Sequence, residues 1–361
     1  MLSRRTIIAS GLSAAALGAG GYSAWPRMGA YEEEVTRQRH ILASDPVTED
    51  LIRMATLAAN GHNTQPWKFR MDEAKVTILP DLARRTTVVD PDDHHLYVSL
   101  GCAAENFMIA ARANGRSADL SIESGHETAL EIAIEAGAVD ATPLYQAIPL
   151  RQSTRSEYDG QPISASDVNF LNAAAQEEGV AVLIFTEVSD REAVLDFVVE
   201  GNSAQMDDPA FVAELRQWIR FTPDQALATH DGLFAATSGN PVAPDWIAKR
   251  LFGAFFKKDS ENDKYRKHIR SSSGIAVFVG DKEDHAHWIN VGRSFQRFAL
   301  RSTMLGIRNA HINQPIEVPA LRTEFAKWLG MPDVRPDLIV RFGRAPALPM
   351  SLRRSVSSVI I

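Results

Sequence analysis

The sequence predicts an α+β protein of two pseudo-symmetric halves, each with a mostly antiparallel sheet flanked by helices. Two helix-like segments, residues 98–115 and 289–306, align without a gap, and in each the two glycines are fourteen residues apart. Runs rich in β-branched and aromatic residues between the helical segments are typical of strands. Duplication of one unit explains the matched helices; coincidence between two amphipathic helices is the alternative.

Composition and charge restrict the class of protein. Of 361 residues, 45 % are hydrophobic and 23 % charged, as in ordinary globular proteins. The net charge of −7 argues against a nucleic-acid partner, since such proteins are normally basic. The single cysteine, Cys102, excludes an internal disulfide and a multi-cysteine metal site. We find no P-loop, nucleophile elbow or Ser-x-x-Lys motif.

The first thirty residues differ in kind from the rest. Arg4 and Arg5 directly precede a run rich in Ala, Gly and Leu, which is typical of a twin-arginine export signal. We therefore expect residues 1–30 to engage the twin-arginine export machinery and to direct the folded protein to the periplasm or another extracytoplasmic space. The run of roughly 17 apolar residues is also at the lower limit for an uncleaved membrane anchor. A disordered N-terminus is the remaining alternative.

The elements of the body follow in order. Asp45 and Pro46 begin an N-capped helix, and Ser164 begins another. We expect a first half over 45–147 and a second half over 148–361. A helical insertion over about 191–258 interrupts the second half. Its turn-rich stretch, 237–244, either covers a pocket as a lid or forms a surface loop. The strand candidates are residues 67–71, 75–79, 180–185, 275–279 and 338–341.

A polar loop lies between the first helix and the first strand. Asn63, Thr64 and Gln65 follow one another there, directly before Pro66 and Trp67. Their amide and hydroxyl groups can donate and accept hydrogen bonds around a planar heterocycle. A capped turn before a packed Trp67 explains the same residues equally well.

A basic segment opens the second half. Arg151, Ser153 and Arg155 alternate, so in an extended chain they share one face and converge on one small anion. A phosphate monoester suits them because guanidinium groups pair with its oxygens bidentately. An exposed basic turn would show the same pattern. Arg353 and Arg354 in the C-terminal tail either add charge to that anion site or form a solvated end.

Histidine and acidic clusters offer weaker candidates. They lack the i, i+4 spacing and the third partner of a metal site, so we expect solvated surface and no metal ligand. These clusters are Asp92 to His95, and Asp284, His285 and His287. The Asn313-Gln314-Pro315-Ile316-Glu317 stretch either lines a pocket or forms a turn.

Taken together, the motifs resemble the FMN-dependent nitroreductases. The match is to the Acg-like branch, in which one chain carries two nitroreductase-like halves, and it covers residues 45–361. It rests on the two motifs above, the Gly101 and Gly292 helices, the tail at 341–354 and the stretch 81–91. The resemblance implies an FMN phosphate held by Arg151, Ser153 and Arg155, helped by Arg353 or Arg354. It implies contacts of Asn63, Thr64 and Gln65 with the ribityl chain or ring.

The resemblance also implies a function. The flavin of an oxidoreductase passes electrons to a small planar acceptor, and the protein supplies positioning and electrostatics, so we name no catalytic residue. Each flavin motif occurs once, which predicts one FMN per chain between the halves and a degenerate second site. The alternatives are a flavin-storing or flavin-sequestering protein without turnover, and a relic that binds no flavin. Export weakens the case for NAD(P)H as electron donor.

Overall fold

The computed structural model describes residues 27–123, 128–140, 142–240, 242 and 256–361. The predicted export signal lies outside these residues except at 27–30. Residues 241, 243 and 244 of the predicted lid stretch 237–244 lie outside them as well. No helix in the part of the chain that is described is long and apolar enough to cross a membrane.

Helices are the commonest regular element of the described chain. The α-helices are α1 (Met28–Gln38), α2 (Thr48–Thr56), α3 (His94–Ala113), α4 (Leu144–Ala147), α5 (Ala165–Ala174), α6 (Val188–Asp207), α7 (Pro209–Trp218), α8 (Pro223–Thr229), α9 (Lys258–Arg270), α10 (His285–Met304), α11 (Gln314–Glu317), α12 (Pro319–Trp328) and α13 (Val356–Val359). Short 3₁₀ turns lie at Gly61–Asn63, Leu82–Arg84, Ile148–Leu150 and Ala235–Ser238. Side-chain caps begin α5, α7, α8 and α10.

Two four-stranded antiparallel sheets have the same topology. The strands are β1 (Trp67–Met71), β2 (Lys75–Pro80), β3 (Arg116–Glu123), β4 (Ala129–Ala136), β5 (Val180–Phe185), β6 (Ile219–Arg220), β7 (Leu233–Phe234), β8 (Gly274–Gly280), β9 (Arg308–His311) and β10 (Pro336–Gly343). The first sheet has the order β1-β2-β4-β3 and the second β5-β8-β10-β9. In each half the long helix, α3 or α10, follows the second strand. The matched order confirms the predicted α+β architecture of two related halves.

One connection distinguishes the halves. Residues 72–74 join β1 to β2, whereas residues 186–273 join the equivalent strands β5 and β8. The long connection contains α6 to α9 and the small parallel pair of β6 and β7. The second half therefore carries additional structure at this point, which the first half lacks. The predicted bounds of the insertion, 191–258, stay a prediction.

The two long helices cross at their early glycines. A Cβ atom on Gly101 would lie 2.0 Å from the carbonyl oxygen of Ile289. A Cβ on Gly292 would lie 2.0 Å from the carbonyl oxygen of Val98. The contacts are therefore reciprocal, and each glycine allows the other helix's backbone to approach. The two halves pack through this crossing at the centre of the hydrophobic core.

The C-terminal tail returns from the second half to the first. Phe69 in β1 bridges to Ile360, and the amide of Ile361 donates to the Phe69 carbonyl at 2.9 Å. Val359 on α13 is fully buried in the core. The tail thereby extends the edge of the first sheet and fixes residues 351–354 beside the first half.

Candidate functional site

A cavity of about 670 Å³ lies between the halves. The first half contributes residues 59–62 and one face of α3, and the second contributes Arg155, Phe295 and the residues after β9. The long connection supplies an apolar wall. This wall consists of Met206, Phe211, Leu215, Ile219, Phe221, Leu233 and Phe256. The cavity thus combines an apolar side with a polar side, as small-molecule sites commonly do.

Arg155 is a cation of the cavity wall without a protein partner. Among the described residues, its guanidinium group makes no hydrogen bond or ion pair. Burial lowers its pKa, but a guanidinium group stays protonated at neutral pH. A charge held away from water in this way favours an anionic or electron-rich ligand.

Three further arginines form a buried cluster, which we call the arginine cluster: Arg39, Arg151 and Arg353. Burial lowers the pKa of Arg39 to about 9 and that of Arg151 to about 10, so both stay charged at pH 7. Burial, Arg39 and Arg151 together lower the pKa of Arg353 well below its usual value. No carboxylate of the described residues forms an ion pair with any of the three.

The arginine cluster is only partly satisfied by the backbone. Arg353 donates to the carbonyls of Thr56 (2.7 Å) and Ala58 (3.2 Å), and Arg151 donates to that of Leu57 (3.0 Å). These carbonyls end helix α2, whose partial negative charge stabilises cations there. The Nε atoms of Arg39 and Arg151 are nevertheless buried without a hydrogen-bond partner. The cluster therefore has unused donors and excess positive charge.

Arg151 links the arginine cluster to the cavity. Its charge affects the pKa of Cys102 and His311, which both line the cavity, and it interacts electrostatically with Arg155. Residues 151–155 run in an irregular, largely extended path in which Ser153 bridges to Asn309 in β9. Two of the predicted phosphate ligands, Arg151 and Arg155, are thus close enough to interact electrostatically with each other. Sequence reasoning missed Arg39, which carries no motif of its own.

The loop before β1 meets the cavity with residues other than the predicted ones. Asn60, Gly61 and His62 line the cavity, whereas Asn63 and Gln65 face the protein. His62, Asn63 and Gln65 all have positive φ angles, of 46°, 55° and 53°. Such a run of left-handed residues is costly and is found where the surrounding structure holds it in place.

Hydrogen bonds to the protein occupy the side chains of the predicted Asn-Thr-Gln motif. Asn63 Nδ2 donates to the Gly232 carbonyl at 3.0 Å, and its Oδ1 accepts from Arg353 at 2.9 Å. Gln65 Nε2 donates to the His230 carbonyl at 2.8 Å, and its Oε1 accepts from the Arg354 amide at 2.8 Å. The residues therefore shape the loop that bears His62, and their contact with a ribityl chain stays a prediction.

Of the eight predicted site residues, Arg155 alone lines the cavity, and Thr64 and Arg354 also lie apart from the arginine cluster. Thr64 is buried, and its carbonyl accepts a hydrogen bond from Arg84. The Arg354 guanidinium donates to the Ser358 carbonyl at 3.0 Å and pairs with Asp81 at 3.4 Å. Arg353 rather than Arg354 joins the arginine cluster. A phosphate role for Arg354 stays a prediction.

Three histidines face the polar side of the cavity. Burial lowers the pKa of His62 to about 4 and that of His311 to about 3, and nearby Arg155 contributes to both shifts. The Nδ1 atoms of His62 and His311 are buried without a hydrogen-bond partner. The third is His95, on the first turn of α3. His62 and His311 are therefore neutral at pH 7 and present polar atoms to a ligand.

The sequence-based expectation of solvated surface at His94 and His95 is wrong. His94 is 1 % exposed, and its Nε2 donates to the Asp337 carboxylate at 2.7 Å. His95 lines the cavity, and its Nε2 donates to the Asp337 carbonyl at 3.2 Å. Burial raises the pKa of Asp337 to about 7. The error arose because Asp337 is 243 residues from His94 in the chain and cannot be paired with it by local spacing.

Asp90, His94 and His95 bring ligand-type atoms within 4.8 Å of one another. Both oxygens of the Asp90 carboxylate accept amides at the start of α3, from His95 at 3.0 Å and Leu96 at 2.9 Å. These bonds satisfy free amides of the helix N-terminus. The group therefore has a clear role in fixing the orientation of α3.

The repeat relates the cavity to a second location, where the lining residues are different. Equivalent residues of the two halves are 191 positions apart, as Gly101 and Gly292 are. The counterparts of Cys102 and His311 are therefore Arg293 and Leu120. Arg293 and Leu120 line an open cleft of about 510 Å³. Beside it, Arg293 and Arg297 each pair with Glu105 and Glu177, at 2.6–3.1 Å, and the four form an ion quartet. In the place of Cys102, which lines the cavity, this cleft thus has an arginine that is paired with two glutamates. The degeneracy of the second site stays a prediction.

We expect the ion quartet to stabilise the contact between the halves. Glu105 is 3 % exposed, so Glu105→Gln leaves two arginines short of a buried counter-charge. The free energy of unfolding should fall by about 2–4 kcal/mol, measured by urea denaturation. Glu324→Gln, at an exposed pair with Lys327, should cost at most about 0.5 kcal/mol. Equal effects of the two changes would contradict a stabilising role for the quartet.

Comparison with known proteins extends these observations. No family model matches the sequence. The chain is 24 % identical over 334 residues to a putative NAD(P)H nitroreductase of Mycobacterium tuberculosis (strain H37Rv), covering 86 % of this chain and 90 % of the relative. It is 21 % identical over 333 residues to the putative NAD(P)H nitroreductase acg of the same strain, covering 88 % and 96 %. These relatives support a nitroreductase-like family for this chain.

Solved structures show a more distant similarity. A nitroreductase with bound FMN from Bacteroides fragilis aligns with 61 % of this chain and 98 % of its own, at 16 % identity and a TM-score of 0.38. The FMN-dependent nitroreductase NfnB of Mycobacterium smegmatis, solved in complex with NADPH, aligns with 59 % and 90 %, at 12 % identity and a TM-score of 0.36.

Proposed function

We propose that this protein binds one FMN between its two halves and uses it to reduce a small planar acceptor. The observation that carries the proposal is the concentration of positive charge without ion-pair partners in and beside one cavity, with Arg155 on the cavity wall and the arginine cluster next to it. Arg155 and the arginine cluster have no carboxylate partner among the described residues, and the Nε atoms of Arg39 and Arg151 are orphaned. A buried cationic group without an anion is costly, so the arrangement favours a bound dianion such as a phosphate monoester.

The residues present fit the two chemically different ends of FMN. Arg151, Arg39 and Arg353 would hold the phosphate, with Ser153 beside them on the same segment. Arg155 and the neutral His62 and His311 would meet polar edges of the ring. The apolar wall would cover the aromatic face, as hydrophobic pocket linings commonly do.

The chain's own contribution is to bind, orient and exclude water. When bound, the flavin supplies a hydride or single electrons, which the protein positions rather than generates. The cavity is bounded on one side by residues of the long connection, so acceptor and flavin would share one partly walled space. The names of the curated relatives favour NAD(P)H as donor. The predicted export argues against NAD(P)H as the donor, because the nicotinamide pool is cytoplasmic.

We also propose that the protein is exported in its folded state by the twin-arginine route. The Arg4-Arg5 pair before an apolar run supports this. A cofactor that is bound without a covalent bond would be retained by a folded cargo. Replacing both arginines by lysine should leave the protein in the cytoplasm in a cell-fractionation assay. Unchanged distribution would contradict the proposed route.

The first experiment is the flavin spectrum of the purified protein, followed by anaerobic addition of NADPH and then of dithionite. We expect a yellow protein with about one FMN per chain that dithionite bleaches. Bleaching by NADPH identifies a nicotinamide-dependent enzyme. Bleaching by dithionite alone, with no reoxidation by quinones or nitroaromatics, would indicate storage instead. A colourless protein that fails to bind added FMN would refute both functions.

A further inference from the structure

A carboxyl group on the cavity wall has an environment that favours its neutral form. Glu317 ends the short helix α11, and 17 % of its side chain remains exposed, on the side of the cavity. Its Oε2 accepts a 2.6 Å hydrogen bond from Nε2 of Gln205. Its Oε1 lies 4.0 Å from Nδ1 of His95, which is beyond hydrogen-bond distance. No lysine or arginine of the described chain pairs with it.

Burial outweighs the charges and the hydrogen bond that act on the Glu317 carboxyl. Burial raises the pKa of Glu317 most, His95 and the Gln205 bond oppose this, and Asp90 raises the pKa further. Tyr265, across the cavity, is neutral because burial raises its pKa. The net result is a raised pKa, so the Glu317 carboxyl keeps its proton to higher pH than an ordinary glutamic acid.

His95 is oriented so that its free nitrogen faces this acid. Nε2 donates to the Asp337 carbonyl, so in the neutral ring Nδ1 carries a lone pair. His94 also holds Asp337 in place, because its Nε2 donates to the Asp337 carboxylate. The 4.0 Å gap between Glu317 Oε1 and His95 Nδ1 allows one oxygen atom, of water or of a ligand, to contact both groups.

Reduction of a quinone in this cavity needs a proton that the flavin does not supply. Bound, reduced FMN would supply a hydride, and a quinone that accepts it needs one further proton to become a hydroquinone. We propose that Glu317 is the catalytic acid that protonates the acceptor oxygen, with His95 restoring its proton. The O–H bond of the Glu317 carboxyl breaks as an O–H bond forms on the acceptor, and His95 then passes a proton from solvent to the carboxylate. This inference rests on the proposed function.

The protonation of Glu317 is testable without flavin. In the full chain labelled with ¹³C at glutamate carboxyl carbons, Glu317→Gln identifies the Glu317 resonance. We expect Glu317 to titrate clearly above the ordinary glutamic acid value of about 4.3. Titration of Glu317 at or below that ordinary value would overturn the proposal.

The catalytic role is tested with FMN-loaded protein that has been reduced by dithionite and mixed anaerobically with benzoquinone. We expect Glu317→Gln to keep its FMN but to reoxidise about 10²-fold more slowly at pH 7. The wild-type rate should fall as pH rises through the pKa of Glu317, and the variant should lose that dependence. Glu324→Gln should behave as wild type.

The outcomes separate the two proposals. An FMN-loaded Glu317→Gln that reoxidises at the wild-type rate overturns the role of Glu317 and leaves the flavin proposal intact. A wild-type chain that binds no FMN refutes the proposed function, whereas the carboxyl titration still decides whether Glu317 is an acid of raised pKa.

Discussion

Chains carrying both Arg151→Ala and Arg155→Ala are expected to purify without FMN. Each arginine would contribute a charge-assisted hydrogen bond, worth about 1.5–3 kcal/mol. Loss of both should therefore weaken FMN binding by about 10²- to 10⁴-fold. Titration of the apo chain with FMN, followed by flavin fluorescence, measures the change directly.

The single variants separate binding from folding. Arg151 also donates to the Leu57 carbonyl, so Arg151→Ala alone can loosen the end of α2. Arg155→Gln removes a guanidinium group that makes no hydrogen bond to the described chain, so it should fold normally and still bind FMN more weakly. Arg37→Ala with Arg266→Ala removes two exposed arginines as a matched control and should leave FMN binding unchanged. Unchanged occupancy in the Arg151 variant would place the phosphate elsewhere, and unchanged occupancy in the Arg155 variant would remove Arg155 from the flavin site.

The repeat was visible in the sequence because it depends on local signals. Residues 67–71 and 180–185 were predicted as strands and are strands to the residue, since their apolar runs are bounded by clear breaks. The strands β3, β4 and β9 were not predicted. β9 has only four residues and lies at a sheet edge, so its local signal is weak. β3 and β4 alternate apolar and polar residues, and this period of two was a signal that could have found them. Equivalence of the halves is another such signal.

The site was only partly accessible to sequence reasoning. Arg151 and Arg155 are close in the chain and share a motif, so their shared role could be predicted. Arg39 reaches the arginine cluster through the tertiary fold alone, with its bonds to the Pro149 and Ser351 carbonyls. The polar Asn63 and Gln65 were read as ligand contacts, but the chain uses them to hold a left-handed loop. A polar side chain in a loop thus does not reveal which partner it meets.

Gly101→Ala, which adds a single methyl group, is expected to destabilise this protein strongly. The new Cβ would lie 2.0 Å from a backbone oxygen of α10, and a backbone cannot move aside as a flexible side chain can. The helices must separate, which opens the core along the crossing. We expect the free energy of unfolding to fall by about 3–5 kcal/mol, at the upper end of the range for overpacking. Urea denaturation measures it.

The reciprocal geometry gives this prediction an internal control. Gly292→Ala meets the Val98 carbonyl at the same distance, so its cost should match that of Gly101→Ala. Because either change alone already separates the helices, the double variant should cost less than the sum of the two. Gly29→Ala on α1, where a Cβ meets no atom within 4 Å, should leave stability unchanged or raise it by up to about 1 kcal/mol. Equal, small effects of all three changes would show that the halves do not depend on this crossing. Since the cavity lies between the halves, that result would also remove the rigid frame on which FMN binding is proposed to rest.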